Sequence, residues 1–125
     1  MSNFLEQFIG DIKSNVPGYV AVTVTEVSTG VCYASHSDKK DFDPEIASAY
    51  NLEVVKAKQS AIKALSLDSV IQDIIITLSN QIHIIDLSES GDYFIYLAVD
   101  SAKANLGMTR ALLKKYKKDI VNELA

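Results

Sequence analysis

DPEIASAYNLEVVKAKQSAIKALS, residues 43–66, is the stretch whose reading decides the fold. Asp43 can cap a helix, Pro44 suits its first position, and Glu45 complements the positive end of the dipole. At about 100° per residue, Ile46, Tyr50, Val54, Ala57, Ala61 and Ala64 share one stripe. Ala47 and Leu65 sit at its edge. That stripe is the expected core face. Val55 and Ile62 fall well round from its centre, too far off it to be simple core residues. They are either flank positions covered by loops, or part of a second contact face where small residues such as Ala57 and Ala61 admit another backbone. Lys56, Gln59, Ser60 and Lys63 complete a polar arc.

After a connector at Leu67-Asp68-Ser69, residues Ile71 to Leu78 read as a strand apolar on both sides. Val70, Ile74, Ile76 and Leu78 line one face; Ile71, Ile75 and Thr77 line the other. If this strand ends its sheet, its unpaired backbone groups need protection or a partner. Its middle carries no proline, and Gln72 and Asp73 stand only at its start. Edge-to-edge pairing of two copies would satisfy it with two-fold symmetry.

The flanking elements follow from periodicity and turn residues. Phe4, Leu5, Phe8, Ile9 and Ile12 predict a first helix opening near Ser2 or Asn3 and stopped by Pro17-Gly18. Tyr19 to Val27 predicts a strand covered on both sides, with Val20, Val22 and Val24 on one face and Ala21, Thr23 and Val27 on the other. Ser28-Thr29-Gly30 turns into a hairpin partner, Val31 to His36. Ile82 to Leu87 and Tyr93 to Val99 are further strands. Asp100 or Ser101 is the expected cap of a last helix whose core face carries Leu106, Leu113, Tyr116, Ile120 and Leu124. The order αββαβββα with hairpin-length turns predicts an α+β fold with an antiparallel sheet.

The chain has 125 residues, which predicts one domain over 1–125. A net charge of −4 argues against nucleic acid as the main partner. The single cysteine, Cys32, allows no internal disulfide and fits a reducing cytoplasm. No basic region followed by an apolar run opens the chain, and no apolar stretch approaches the roughly 18 residues of a membrane span.

Chemistry-bearing patterns are sparse. The glycines stand singly at turns or helix ends, with no phosphate loop. Neither His36 nor His83 has a histidine or cysteine at metal-ligand spacing, and Cys32 reads as a small half-buried residue. Asp38, Asp41, Asp43 and Glu45 read as capping and dipole complement rather than as an acid–base pair. Tyr93, Phe94 and Tyr96 read as ordinary sheet packing. Lys114, Lys115, Lys117 and Lys118 predict a solvated face, with an anionic partner surface as the second reading. No catalytic constellation and no cofactor are expected.

Three phrases carry a family resemblance. They are Phe42-Asp43-Pro44-Glu45 leading into Ala49-Tyr50-Asn51-Leu52-Glu53-Val54-Val55-Lys56, then Asp73-Ile74-Ile75-Ile76-Thr77-Leu78, then Ser101-Ala102-Lys103-Ala104-Asn105-Leu106. The chain resembles the Roadblock / dynein light chain 7 family, in particular its short bacterial members. The resemblance implies a five-stranded sheet with the first and last helices on one face and the long middle helix on the other. It implies a homodimer or heterodimer in which the middle helices pack together and the third strands join. The expected interface gathers Tyr50, Val55, Ala57, Lys58, Ala61, Ile62, Ile71, Asp73, Ile75 and Thr77. It also implies a non-enzymatic regulator or scaffold for a small Ras-like GTPase. Arg110, the only arginine, lies inside the last helix and is no obvious arginine finger. An assembly subunit without GTPase contact, or a small-ligand sensor on a profilin-like sheet, are the alternatives.

Overall fold

The structure, a computed structural model, describes residues 2–124. Its elements are α1 (Ser2–Asn15), β1 (Tyr19–Glu26), β2 (Cys32–Ser37), α2 (Pro44–Ala64), β3 (Asp73–Thr77), β4 (Gln81–Leu87), β5 (Tyr93–Asp100) and α3 (Leu106–Leu124). The five strands form one sheet in the order β2-β1-β5-β4-β3, every neighbouring pair antiparallel. Tyr19 to Glu26 pairs with both β2 and β5, so the valine- and threonine-rich strand lies inside the sheet. Residues 20–25 are all buried, as a strand apolar on both faces requires.

Each face has its own core. Phe8 and Ile12 of α1, with Val16 just after it, meet Leu113 and Ile120 of α3 over Val22, Val24, Ile84, Ile95, Leu97 and Val99. Leu52 and Val55 of α2 cover Ala21, Ile85, Leu87, Phe94, Tyr96 and Ala98 on the opposite face. The first and last helices therefore share one side and the middle helix takes the other. Val20 departs from the expected alternation and joins the α2 side. The register with β5 shifts between Tyr19 and Ala21, and such a bulge turns the extra side chain to the other face.

Local signals set most boundaries. Asp43 caps α2: its Oδ1 accepts from the backbone N–H of Glu45 at 3.0 Å and of Ile46 at 3.2 Å. Gly18 adopts φ +75°, and a Cβ there would lie 2.9 Å from the carbonyl oxygen of Asp100. That close approach ties the end of β5 to the α1–β1 turn. The start of α3 differs from expectation. Asp100 is still paired to Gln81 in the sheet, and its carboxylate accepts from Ala102 N–H at 2.9 Å to close a turn. Asn105 caps the helix instead, its Oδ1 accepting from Met108 N–H at 3.1 Å.

The main correction concerns the facing of α2. The stripe expected inside is outside: Ile46 is 57% exposed, Tyr50 73% and Val54 38%. The buried residues are Ser48, Asn51, Leu52 and Val55, and Val55 is fully enclosed. Val55 is thus a core residue and offers no surface to a partner. The inward face carries polar groups that find partners on the sheet and its turns. The Ser48 hydroxyl bonds that of Thr25, and Gln59 Nε2 donates to the Gly91 carbonyl at 3.4 Å. Satisfied in this way, they bury at little cost. Replacing Val55 with Ala should lower the unfolding free energy by about 2 kcal/mol, whereas Lys56→Ala on the exposed side should change it by less than about 0.5 kcal/mol. Urea denaturation of the two variants checks the facing of the helix.

Candidate self-association surface

β3 ends the sheet, and its backbone shows which groups lack a partner. Leu78 N–H donates to the Gln81 carbonyl at 2.8 Å and Leu87 N–H to the Gln72 carbonyl at 3.0 Å. Antiparallel alternation then turns Ile74, Ile76 and Leu78 toward β4 and leaves the backbone of Asp73, Ile75 and Thr77 facing outward. The chain reaches this edge through a left-handed residue, Ser66 at φ +55°, which ends α2 with Leu67 N–H bonded to the Ile62 carbonyl at 3.1 Å.

The side chains around this edge are only partly covered. α2 packs on β1 and β2, so its own side of the sheet is incompletely roofed toward β3. Ile74, Ile76 and His83 lie there half-buried. His83 is held between the Tyr96 phenol, 3.2 Å from Nδ1, and Gln81 Oε1, 2.8 Å from Nε2. Phe42 meets its ring edge-on. Burial lowers the His83 pKa, which favours the neutral imidazole, and burial pushes the Tyr96 phenol up to about 12.

The opposite side of the edge is braced by α3. Arg110 donates to Asp73 through Nε at 2.7 Å and through Nη2 at 3.3 Å. Lys117 Nζ donates to Asp86 Oδ1 at 3.0 Å, with Asp86 almost fully buried. Lys117 is therefore a structural cation, not part of the solvated face expected for the lysine run; Lys114, Lys115 and Lys118 are exposed.

The interface residues expected from sequence separate into groups. Tyr50, Ala57 and Lys58 are exposed on the outer side of α2, and Ala61 is partly so. Asp73, Ile75 and Thr77 carry the open edge. Ile71 precedes β3 and packs against the α2-side core, because the strand period does not extend back to it. Ile62 is half-buried on the inward side of α2, and Val55 is enclosed. Besides Tyr50, the large apolar residues that sequence periodicity assigned to the core stripe or its edge and that are exposed are Ile46, Val54 and Leu65, and Ala57 and Ala64 of the stripe are exposed with them.

Other chemistry-bearing groups are engaged locally. His36 Nδ1 lies 2.6 Å from the Tyr19 hydroxyl. Burial raises the Cys32 thiol above its ordinary pKa, and its Sγ donates to the Ala34 carbonyl. Among the described residues no group of three or more His, Cys, Asp or Glu is placed to hold a metal ion. No helix among them is long and apolar enough to cross a membrane.

No family model and no curated protein matches the sequence. Solved structures do match its shape. A Roadblock/LC7 domain from Streptomyces avermitilis superposes with TM-score 0.75 at 12% identity, over 99% of this chain and 93% of that one. The fold is that of the Roadblock/LC7 domain. Myxococcus xanthus MglB superposes on it with TM-score 0.76 at 12% identity, over 96% of this chain and 90% of that one. Myxococcus xanthus MglC gives TM-score 0.59 at 21% identity, over 98% of each chain. Agreement of this extent at such low identity is agreement of fold. In this Roadblock/LC7 fold the outer side of the middle helix is exposed, and the third strand, like β2 at the other end, is an open edge of the sheet.

The brace behind the edge has a pH signature. Burial raises the Asp86 pKa, and the Lys117 hydrogen bond and charge offset this only in part. A carboxyl raised in the folded state favours folding most below its unfolded pKa, and that contribution is lost as pH rises through the folded value. Lys117→Met leaves the carboxylate without its cation and should cost about 3 kcal/mol at neutral pH, by the usual cost of breaking a buried pair. The deficit should shrink as pH falls and Asp86 takes a proton. Urea denaturation of both proteins across pH 4.5 to 8 measures it; a pH-independent deficit would contradict the assignment.

Proposed function

We propose that residues 1–125 form one Roadblock-type interaction module that pairs with a second copy of itself and regulates or scaffolds a small Ras-like GTPase in the cytoplasm of a bacterium. The observation that carries the pairing is the coincidence of two uncovered features. One is the outer stripe of α2, with Ile46, Tyr50, Val54 and Ala57 exposed. The other is the open edge of β3 beside half-covered Ile74 and Ile76. Neither is costly if a second copy lays its own α2 and β3 against them. Small side chains at Ala57 and Ala61 let two helices approach closely. Outward backbone groups at Asp73, Ile75 and Thr77 suit an antiparallel partner strand.

The GTPase role rests on the family resemblance of the sequence and on likeness of fold to proteins such as the gliding protein MglB of Thermus thermophilus, at 16% identity and TM-score 0.67. In this reading the chain is not an enzyme, needs no cofactor, and acts by positioning the GTPase's own groups. Arg110 is committed to Asp73 at its own sheet edge, so it is not the group offered to a nucleotide. A scaffold that holds the GTPase without altering turnover is the alternative within the same class.

Two measurements test this. Light scattering after size exclusion should give the mass of two chains at tens of micromolar, and Ile75→Asp should weaken pairing at least tenfold by placing a charge on the joined edge. A monomer at that concentration would overturn the pairing. GTP turnover by a Ras-like GTPase encoded beside this gene should change when the wild-type chain is added and change much less with Ile75→Asp. Unchanged turnover, together with no complex in co-purification, would overturn the GTPase role.

A further inference from the structure

A cleft of about 310 Å3 lies between the last turns of α2, the connector before β3 and the β4–β5 turn. Ile62, Ile71 and Leu87 give it an apolar floor, and Leu67 and Val70 form its lip. The lip is unusual for a surface segment: Leu67 is 53% exposed and Val70 68%. Aliphatic side chains left in water next to a concave apolar floor give the cleft an apolar rim for a ligand to cover. The polar groups are few. Lys63 is the only charged residue that lines the cleft, and it has no ion-pair partner within reach among the described residues. Ser69 and Ser90 add hydroxyls. Ser88 is already used, because its Oγ accepts from Tyr93 N–H at 3.1 Å.

We propose that this cleft binds a compact amphipathic carboxylate, with the apolar body on Ile62, Ile71 and Leu87, under the Leu67 and Val70 lip, and the head on Lys63. Size argues for a compact ligand, since about 310 Å3 is near the lower limit of small-molecule sites, roughly 300–1,000 Å3. A nucleotide or a long acyl chain exceeds it. Charge selects the head: the one available cation forms a charge-assisted hydrogen bond with a carboxylate. Asp68, Glu89 and Asp92 stand close by in sequence without lining the cleft. Their charge works against any anion on Lys63, the carboxylate included, so the apolar body must supply most of the binding. The inference is separate from pairing and from the GTPase reading. A chain that fails to pair can still bind, and a chain that pairs can fail to.

Octanoate and 1-octanol are the probes, added to the full-length 15N-labelled chain and followed by amide chemical shifts. Octanoate should shift the amides of residues 59–71 and 87–91 in a saturable way. Lys63→Gln should raise its dissociation constant about tenfold, the loss of one charge-assisted hydrogen bond, and leave 1-octanol binding unchanged. Ser69→Trp should abolish binding of both by filling the cleft. The wild-type spectrum serves as the folding control for each variant. The proposal is overturned by shifts that do not saturate, by shifts centred on Ile46, Tyr50 and Val54 instead, or by equal octanoate affinity in Lys63→Gln.

Discussion

The seating of α2 on the sheet is the constraint on which the surface of this molecule depends. Ser48, Asn51, Leu52 and Val55 face inward, and the helix cannot turn its other side to the core without taking the Ser48 hydroxyl from the buried Thr25 hydroxyl and Leu52 and Val55 from their core. An unpaired buried polar group costs about 1–3 kcal/mol, and exposing Leu52 and Val55 forfeits their burial, which together offset the gain from burying Ile46 and Val54 instead. The helix therefore keeps its more apolar stripe in water. This arrangement is the physical basis for the proposed partner.

The edge strand completes the surface. β3 is joined to the sheet on one side only, and on one face of the sheet Arg110 of α3 is bonded to its Asp73 while Lys117 is bonded to Asp86 of neighbouring β4. Asp73 and Asp86 sit on neighbouring strands opposite each other, and their bonds to Arg110 and Lys117 pin the last helix across both. The edge is thus tied down on one face yet unpaired. A strand tied down in this way loses less conformational entropy when another docks on it.

Much of this was legible in the sequence. Asp43-Pro44-Glu45 announced the start of α2, the double-faced valine pattern announced a covered β1, and the αββαβββα order gave the antiparallel sheet. These are local signals, and local chemistry decides them. What was not legible depends on distant partners. The inward face of α2 looked polar because Thr25 and Gly91, which meet its polar groups, lie far away in the chain. Lys117 looked solvated because Asp86 is 31 residues away. The turn of Val20 to the α2 side needed a register shift against β5 that no pattern within β1 reveals. Asn105 displaced Asp100 as the cap because the last strand runs one residue further than its apolar run.

The central claim is that the outward backbone of β3 is built to be paired. Hydrogen exchange of single amides reads this directly. The N–H groups of Ile75 and Thr77 point away from β4, so nothing within one chain protects them. At high protein concentration they should exchange as slowly as the amides of Ile74 and Ile76, and on dilution they should become fast while those neighbours stay slow. Fast exchange of Ile75 and Thr77 at every concentration, beside slow Ile74 and Ile76, would contradict the account.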